Sequence, residues 1–147
     1  MNKQRICIVG DGLAGLMTAV ALGRIPEVDI NLIAKKEKKN LDKRTTAISH
    51  TNFKFIQENI STLDNNLFWP SKNIELFYET SKEKINFLNL KEAHSNLMYV
   101  FENDKIKNIL LKEISKNKIE IIRKDIKSLT DLKNYDLVIL CLGAKSN

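Results

Sequence analysis

Two cysteines, two histidines, two prolines and one tryptophan in 147 residues leave little material for several kinds of chemistry. Cys7 and Cys141 share no CxxC spacing and have no neighbouring histidine, which argues against a metal site or a redox pair. Both fall in apolar, strand-like runs and read as buried, inert thiols. His50 and His94 belong to no Ser-His-Asp order, and no metal-ligand spacing or carboxylate pair stands out. No catalytic residue and no metal ligand is therefore assigned. No apolar run approaches the ~20 residues that cross a bilayer as a helix. The opening MNKQR leads straight into a strand pattern, without the apolar region and cleavage site of a signal peptide. The expectation is a cytoplasmic chain.

Arginine is also scarce, supplying four of the 24 basic residues behind a net charge of +6. Lysine, isoleucine and asparagine make up more than a third of the chain and recur in every segment. The positive charge thus reflects overall composition rather than a patch for nucleic acid. The densest cluster, KKEKKNLDKR at 35 to 44, is broken by acids and lacks interleaved aromatics. It reads as a solvated loop, and no nucleic-acid partner is expected. With 43% hydrophobic and 29% charged residues, the composition suits one globular domain with a core.

What is present begins with glycine. Three of the five glycines lie in ICIVGDGLAGLMTAV, residues 6 to 20. Residues 5 to 9 read as a buried strand, and Leu13, Leu16, Met17, Val20 and Ala21 recur at helical spacing to about Arg24, with Pro26 ending the helix. Residues 29 to 34 read as a second strand, which completes a βαβ unit. In a dinucleotide cradle Gly10 suits the tight turn, Gly12 the close approach of backbone to pyrophosphate, and Gly15 the contact of helix with strand. Asp11, Leu13 and Ala14 share that loop and the first helical turn, whose N–H groups and dipole favour phosphate. One element is missing: the ribose-binding acid expected about twenty residues on. Ala34 stands there, followed by Lys35 and Lys36.

Further along, Ser49 or Thr51 suits the cap of a helix carrying Phe53, Phe55, Ile56 and Ile60. Residues 73 to 90 read as two strands around a turn at TSKEK. NLMYVF reads as a strand running into a helix from about Asp104 to Lys116, with Ile106, Ile109, Leu110 and Ile114 on one face. KIEIIRKDI and YDLVILCLG read as two more strands, the last a continuous apolar run as expected of a central parallel strand covered on both faces. The fold class is α/β: a Rossmann-like βαβ domain with a parallel sheet and an inserted β-hairpin region at about 70 to 100.

The glycine loop, DKRTTAIS at 42 to 49, MYVFENDKIKNILL at 98 to 111 and the closing YDLVILCLGAKS are together similar to the FAD-dependent hydroxylases of ubiquinone biosynthesis. Those are flavoprotein monooxygenases of the p-hydroxybenzoate hydroxylase fold. The resemblance implies that Arg44 lies against FAD, a role that suits paired guanidinium hydrogen bonds to phosphate. It implies that Asn103 reaches the ribityl region of the flavin; the residue type equally suits a helix N-cap. Trp69, in NLFWP, falls where the family has a tryptophan, which is read as packing. Asp136, Gly143 and Ser146 match the family's last motif, but Leu142 replaces its second acid. The resemblance implies hydroxylation of an electron-rich aromatic ring, with the flavin activating oxygen and the protein orienting the reactants. It further implies a small aromatic or quinone-precursor substrate, with NAD(P)H a candidate electron donor. The positive charge is compatible with association with a membrane surface or a biosynthetic complex.

The family's later Gly-Asp motif and the rest of its substrate domain do not occur in these residues. The expectation is an N-terminal portion, roughly the first two-fifths of such an enzyme. Two alternatives stay open: a truncated, non-catalytic dinucleotide-binding module, and an NAD(P)-binding domain of a dehydrogenase.

Overall fold

The computed structural model describes residues 3–36, 42–60 and 63–143. The chain divides into two compact units, one of residues 1–42 and 103–147 and the other of residues 43–102. Each is described by itself.

The first unit is built on β1 (Gln4–Val9), α1 (Leu13–Leu22) and β2 (Val28–Ala34). The chain returns to it through α3 (Asn103–Lys116), β8 (Glu120–Arg123) and β9 (Leu137–Leu140). The four strands form one sheet in the order β8-β2-β1-β9, with every pairing parallel. Alternation divides the sheet residues between two faces. Cys7, Val9 and Ile33 pack with Leu132 on one face, where Ile122, Ile126, Tyr135 and Val138 enclose them. Ile6, Ile8, Ile30 and Leu32 are buried on the other, the side against which α1 lies, with α1 in turn packed on α3. Helix α3 contributes Ile106, Leu110 and Ile114, all buried, at the spacing its sequence predicts.

Two expectations change here. Pro26 does not end α1: the helix stops at Leu22 and Gly23 caps it, donating its N–H to the carbonyl of Ala19 at 2.9 Å. The apolar run VILC does not form a central strand. β9 is the edge of the described sheet, and Leu137 and Leu140 are 44% and 55% exposed. A continuous apolar run sets what a strand can bury, not its place in the strand order. What holds β9 is β1 on one side and Asp136 at its entrance. The Asp136 carboxylate accepts from Arg5 N–H at 2.7 Å, and Asp136 N–H donates to the Arg5 carbonyl at 2.8 Å.

The second unit contains β3 (Thr45–Ser49), α2 (His50–Asn59), β4 (Trp69–Ser71), β5 (Asn73–Glu79), β6 (Lys84–Lys91) and β7 (Met98–Glu102). β7 lies between β3 and β4, antiparallel to both. Ser49 is the cap of α2, its Oγ accepting from Asn52 N–H at 3.2 Å. Helix α2 turns Phe53 and Ile56 onto this sheet: Phe53 stacks on Tyr99 with centroids 3.7 Å apart, and Phe68 meets Phe53 and Phe101 edge-on. Phe55 points outward, 57% exposed. Its position, two after Phe53 and one before Ile56, sets it on the opposite side of the helix. Trp69 is half exposed at the start of β4, so it is not the packing residue its type suggests. The predicted hairpin is present as β5 and β6, with Thr80 and Glu83 closing the turn.

Candidate nucleotide site

The carboxyl ends of the parallel strands open onto a cavity of about 590 Å³ in the first unit. This is the crevice at which open α/β sheets receive ligands, and the volume is that of a small-molecule site. One wall is the loop after β1, with Gly10, Asp11 and Gly12. A second is the end of β2, with Ile33, Ala34 and Lys35. The third is the segment after β8, from Lys124 to Leu132, and the fourth is Leu140 to Gly143 after β9.

The three glycines of the loop are enforced by different neighbours. Gly10 has φ +114°, and a Cβ there would run into the carbonyl of Cys141. A Cβ on Gly15 would run into the carbonyl of Gly10, so the helix can lie this close only with glycine at that position. Gly12 has ordinary extended backbone, and a Cβ on it would meet no atom within 4 Å. Nothing within the described protein requires glycine at 12. The residue also occupies the N-cap of α1, where no side chain satisfies the first turn of N–H groups formed by Leu13, Ala14 and Gly15. Those three residues directly follow the cavity-lining loop in sequence.

Asp11 is held from across the sheet. Arg123, the last residue of β8, donates from Nη1 to Asp11 Oδ2 at 2.7 Å and to the carbonyl of Lys35 at 3.2 Å. The same region is tied by Lys124 N–H to the Ala34 carbonyl at 3.0 Å and by Gly10 N–H to the Ile33 carbonyl at 2.8 Å. The outer wall is a short 3-10 turn, Leu129–Leu132, started by a capping box. Ser128 Oγ accepts from Thr130 N–H, and the Asp131 carboxylate accepts from the N–H groups of Lys127 and Ser128. Those two backbone bonds, aided by nearby Lys124 and Lys127, hold the Asp131 carboxyl below the usual carboxylate range. Lys35, Lys124 and Lys127 give the rim positive charge, while Leu129, Leu140 and Leu142 present exposed apolar surface to it.

Of the residues singled out by sequence, Gly10, Asp11 and Gly12 line this cavity, with Leu13, Ala14 and Gly15 immediately after them. Asn103 is in the same unit but outside the lining. It is the first residue of α3, buried, and donates from Nδ2 to Asp42 Oδ2 at 3.1 Å rather than flanking the helix as its cap. Arg44 belongs to the second unit, exposed, directly before β3. His50 stacks on Tyr99, and His94 lies in a bend with its N–H bonded to Glu92. Ser146 lies outside the described residues. Cys141 lines the cavity and is only part-buried, which corrects the expectation of two buried thiols. Cys7 is fully buried, and burial pushes its thiol pKa up despite the opposing pull of Lys124. Among the described residues no group of three or more His, Cys, Asp and Glu side chains could hold a metal ion.

Arg123 and the segment from Lys124 to Leu132 escaped the sequence reading. A signal existed: Arg123 is one of four arginines in a lysine-rich chain. The scarcity that draws attention to Arg44 applies equally to it.

No family model matches the chain, and no curated protein matches it by sequence. Solved structures do. A 2-methyl-3-hydroxypyridine-5-carboxylic acid oxygenase aligns with a TM-score of 0.61 at 17% identity over 82% of this chain and 31% of its own. The p-nitrophenol 4-monooxygenase PnpA from Pseudomonas putida DLL-E4 gives 0.61 at 14% identity, over 82% of this chain and 32% of its own. CtdE, solved in complex with FAD and a substrate, gives 0.61 at 20% identity, over 82% and 30%. The chain shares their fold. It spans about a third of the length of each. Among the described residues no helix is long and apolar enough to cross a membrane.

Proposed function

We propose that the chain is the FAD-binding portion of a flavin-dependent aromatic-ring hydroxylase. The observation that carries this reading is Gly12. Two neighbouring glycines are demanded by protein atoms, whereas Gly12 keeps a Cβ out of open space beside a cavity. A glycine that makes room for nothing in the protein makes room for a ligand, and the uncapped first turn of α1 favours an anionic one. The cradle therefore fits a pyrophosphate.

The first-turn N–H groups of Leu13, Ala14 and Gly15 would hold that pyrophosphate, with the adenosine half in the cavity between β2 and the Lys124–Leu132 segment. Arg44 and Asn103 are assigned to the cofactor by the motif resemblance alone. When bound, FAD supplies the redox and oxygen chemistry, and the protein binds it, orients it and limits water. The bound FAD of CtdE and the oxygenase names of the other two neighbours support this choice of cofactor and reaction class. The second unit, inserted in sequence between β2 and α3, also favours FAD over a simple NAD(P) domain, which would carry another βα unit there. The finer reading is a ubiquinone precursor as substrate, NAD(P)H as electron donor and association with a membrane surface or biosynthetic complex. It rests on the motifs and the positive charge, and belongs to the whole protein.

The test is FAD titration followed by flavin fluorescence. Gly12→Val is expected to abolish binding while shifting stability by no more than about 0.5 kcal/mol, since its side chain enters empty space. Gly15→Ala, by contrast, is expected to destabilise the fold by about 3 kcal/mol through backbone collision. Unchanged FAD affinity in a folded Gly12→Val protein would overturn the reading.

A further inference from the structure

The end of β2 lacks the acid that commonly receives the adenosine ribose, and the structure shows a carboxylate brought to that place from elsewhere. Ala34, in the acid's position, is 2% exposed and offers no side-chain acceptor. One guanidinium nitrogen of Arg123 bonds both the carbonyl of Lys35, directly after β2, and Oδ2 of Asp11. The Asp11 carboxylate is thereby fixed beside the last turn of β2, on the cavity wall. Its other oxygen, Oδ1, has no partner among the described residues.

We propose that Asp11, positioned by Arg123, is the ribose acceptor of this site: Oδ1 accepts hydrogen bonds from a ribose hydroxyl, and the carboxylate selects an unphosphorylated ribose. This rests on the dinucleotide reading above and assigns its specificity. The competing feature is the lysine rim of Lys35, Lys124 and Lys127, which would welcome a 2′-phosphate. Two facts decide against it. Lys35 is exposed, and the guanidinium nearest the end of β2 is engaged by Asp11. A phosphate placed there would meet that carboxylate as a like charge.

The test is calorimetric titration of the full chain with FAD, ADP, 2′-deoxy-ADP and 2′-phospho-ADP, repeated on Asp11→Ala and Asp11→Asn, with circular dichroism to establish folding. The native chain is expected to favour ADP over 2′-deoxy-ADP by about tenfold, the worth of one hydrogen bond to a charged group. Asp11→Ala should erase that preference and weaken the discrimination against 2′-phospho-ADP, because the like charge facing the phosphate is gone. Asp11→Asn, which keeps a neutral acceptor and the loop's shape, should retain a reduced preference. A native chain that binds FAD but does not discriminate against 2′-deoxy-ADP overturns the proposal and leaves the dinucleotide reading intact. So does an Asp11→Ala protein that discriminates fully, or tighter binding of 2′-phospho-ADP than of ADP by the native chain. Failure of the folded native chain to bind either FAD or ADP overturns both.

Discussion

Asn103 donates from Nδ2 to Oδ2 of Asp42 at 3.1 Å, while the N–H of Asp42 donates to Oδ1 of Asp104 at 3.2 Å. Asp42 is the last residue of the first unit before the chain leaves it, and Asn103 is the first on its return. The exit and the re-entry of a 60-residue excursion are thus fastened to each other by side chains. That bond gives the buried amide of Asn103 a structural duty in addition to the cofactor role proposed for it.

Asn103→Ala is therefore expected to cost about 1.5 kcal/mol of unfolding free energy, the range of a part-buried hydrogen bond to a charged acceptor. Combined with Asp42→Ala in a double-mutant cycle, it should show a coupling energy of about 1 kcal/mol by urea denaturation. Additive effects of the two substitutions would mean that the pair does not clamp the junction.

The two thiols differ in a way a labelling experiment reads directly. Cys7 lies in the middle of β1, fully buried, with its pKa raised mainly by burial. Cys141 is part-buried on the cavity wall. Iodoacetamide at pH 8 is expected to modify Cys141 at least about tenfold faster than Cys7, because the thiolate is the nucleophile and needs access. Saturating FAD should slow modification of Cys141 and leave Cys7 unchanged. Equal native-state rates, measured by mass spectrometry of the digested protein, would contradict this assignment.

The capping box after β8 confers a dependence on acid. Asp131 accepts backbone N–H bonds from Lys127 and Ser128 in the folded chain, so its folded pKa lies below the unfolded one. Its contribution is present above the unfolded value, near pH 4, and is lost as pH falls through the folded value. Melting curves between pH 7 and pH 2 should show a steeper acid loss for the native chain than for Asp131→Asn, whose amide takes up no proton in that range. Parallel profiles would remove the box from any part in acid stability.

The parts of the fold legible in the sequence are those in which local chemistry and burial agree. β1, α1 and β2 combine strand-like apolar runs, a glycine turn and helical spacing, and they appear within a residue or two of the expected bounds, apart from the earlier end of α1. β3 was hidden because TTAIS lies inside a motif read for its arginine, and its alternation rests on small residues. β4 carries Pro70, which lowers any strand reading, yet proline is tolerated in an edge strand, and β4 is at the edge of its sheet. The position of β9 was unreadable for a different reason: strand order is a long-range property that an apolar run does not encode. The site shows the same division. The glycine loop announces itself by spacing. Arg123 reaches Asp11 across 112 positions of sequence, and no local pattern reports such a pairing.

The contact between Gly10 and Cys141 also bears on the order of events during synthesis. The loop after β1 is synthesised well before its supports: the carbonyl against which Gly10 is fitted, and the strand that pairs β1 on that side, arrive more than 120 residues later. Arg123, which steadies Asp11, also emerges after the whole second unit. A nascent chain therefore carries its glycine loop half-supported until the β9 region appears. At ~5–20 residues per second, that interval lasts roughly 6 to 25 seconds. The glycine loop is thus completed by residues made long after it, and the binding proposed for it waits on them.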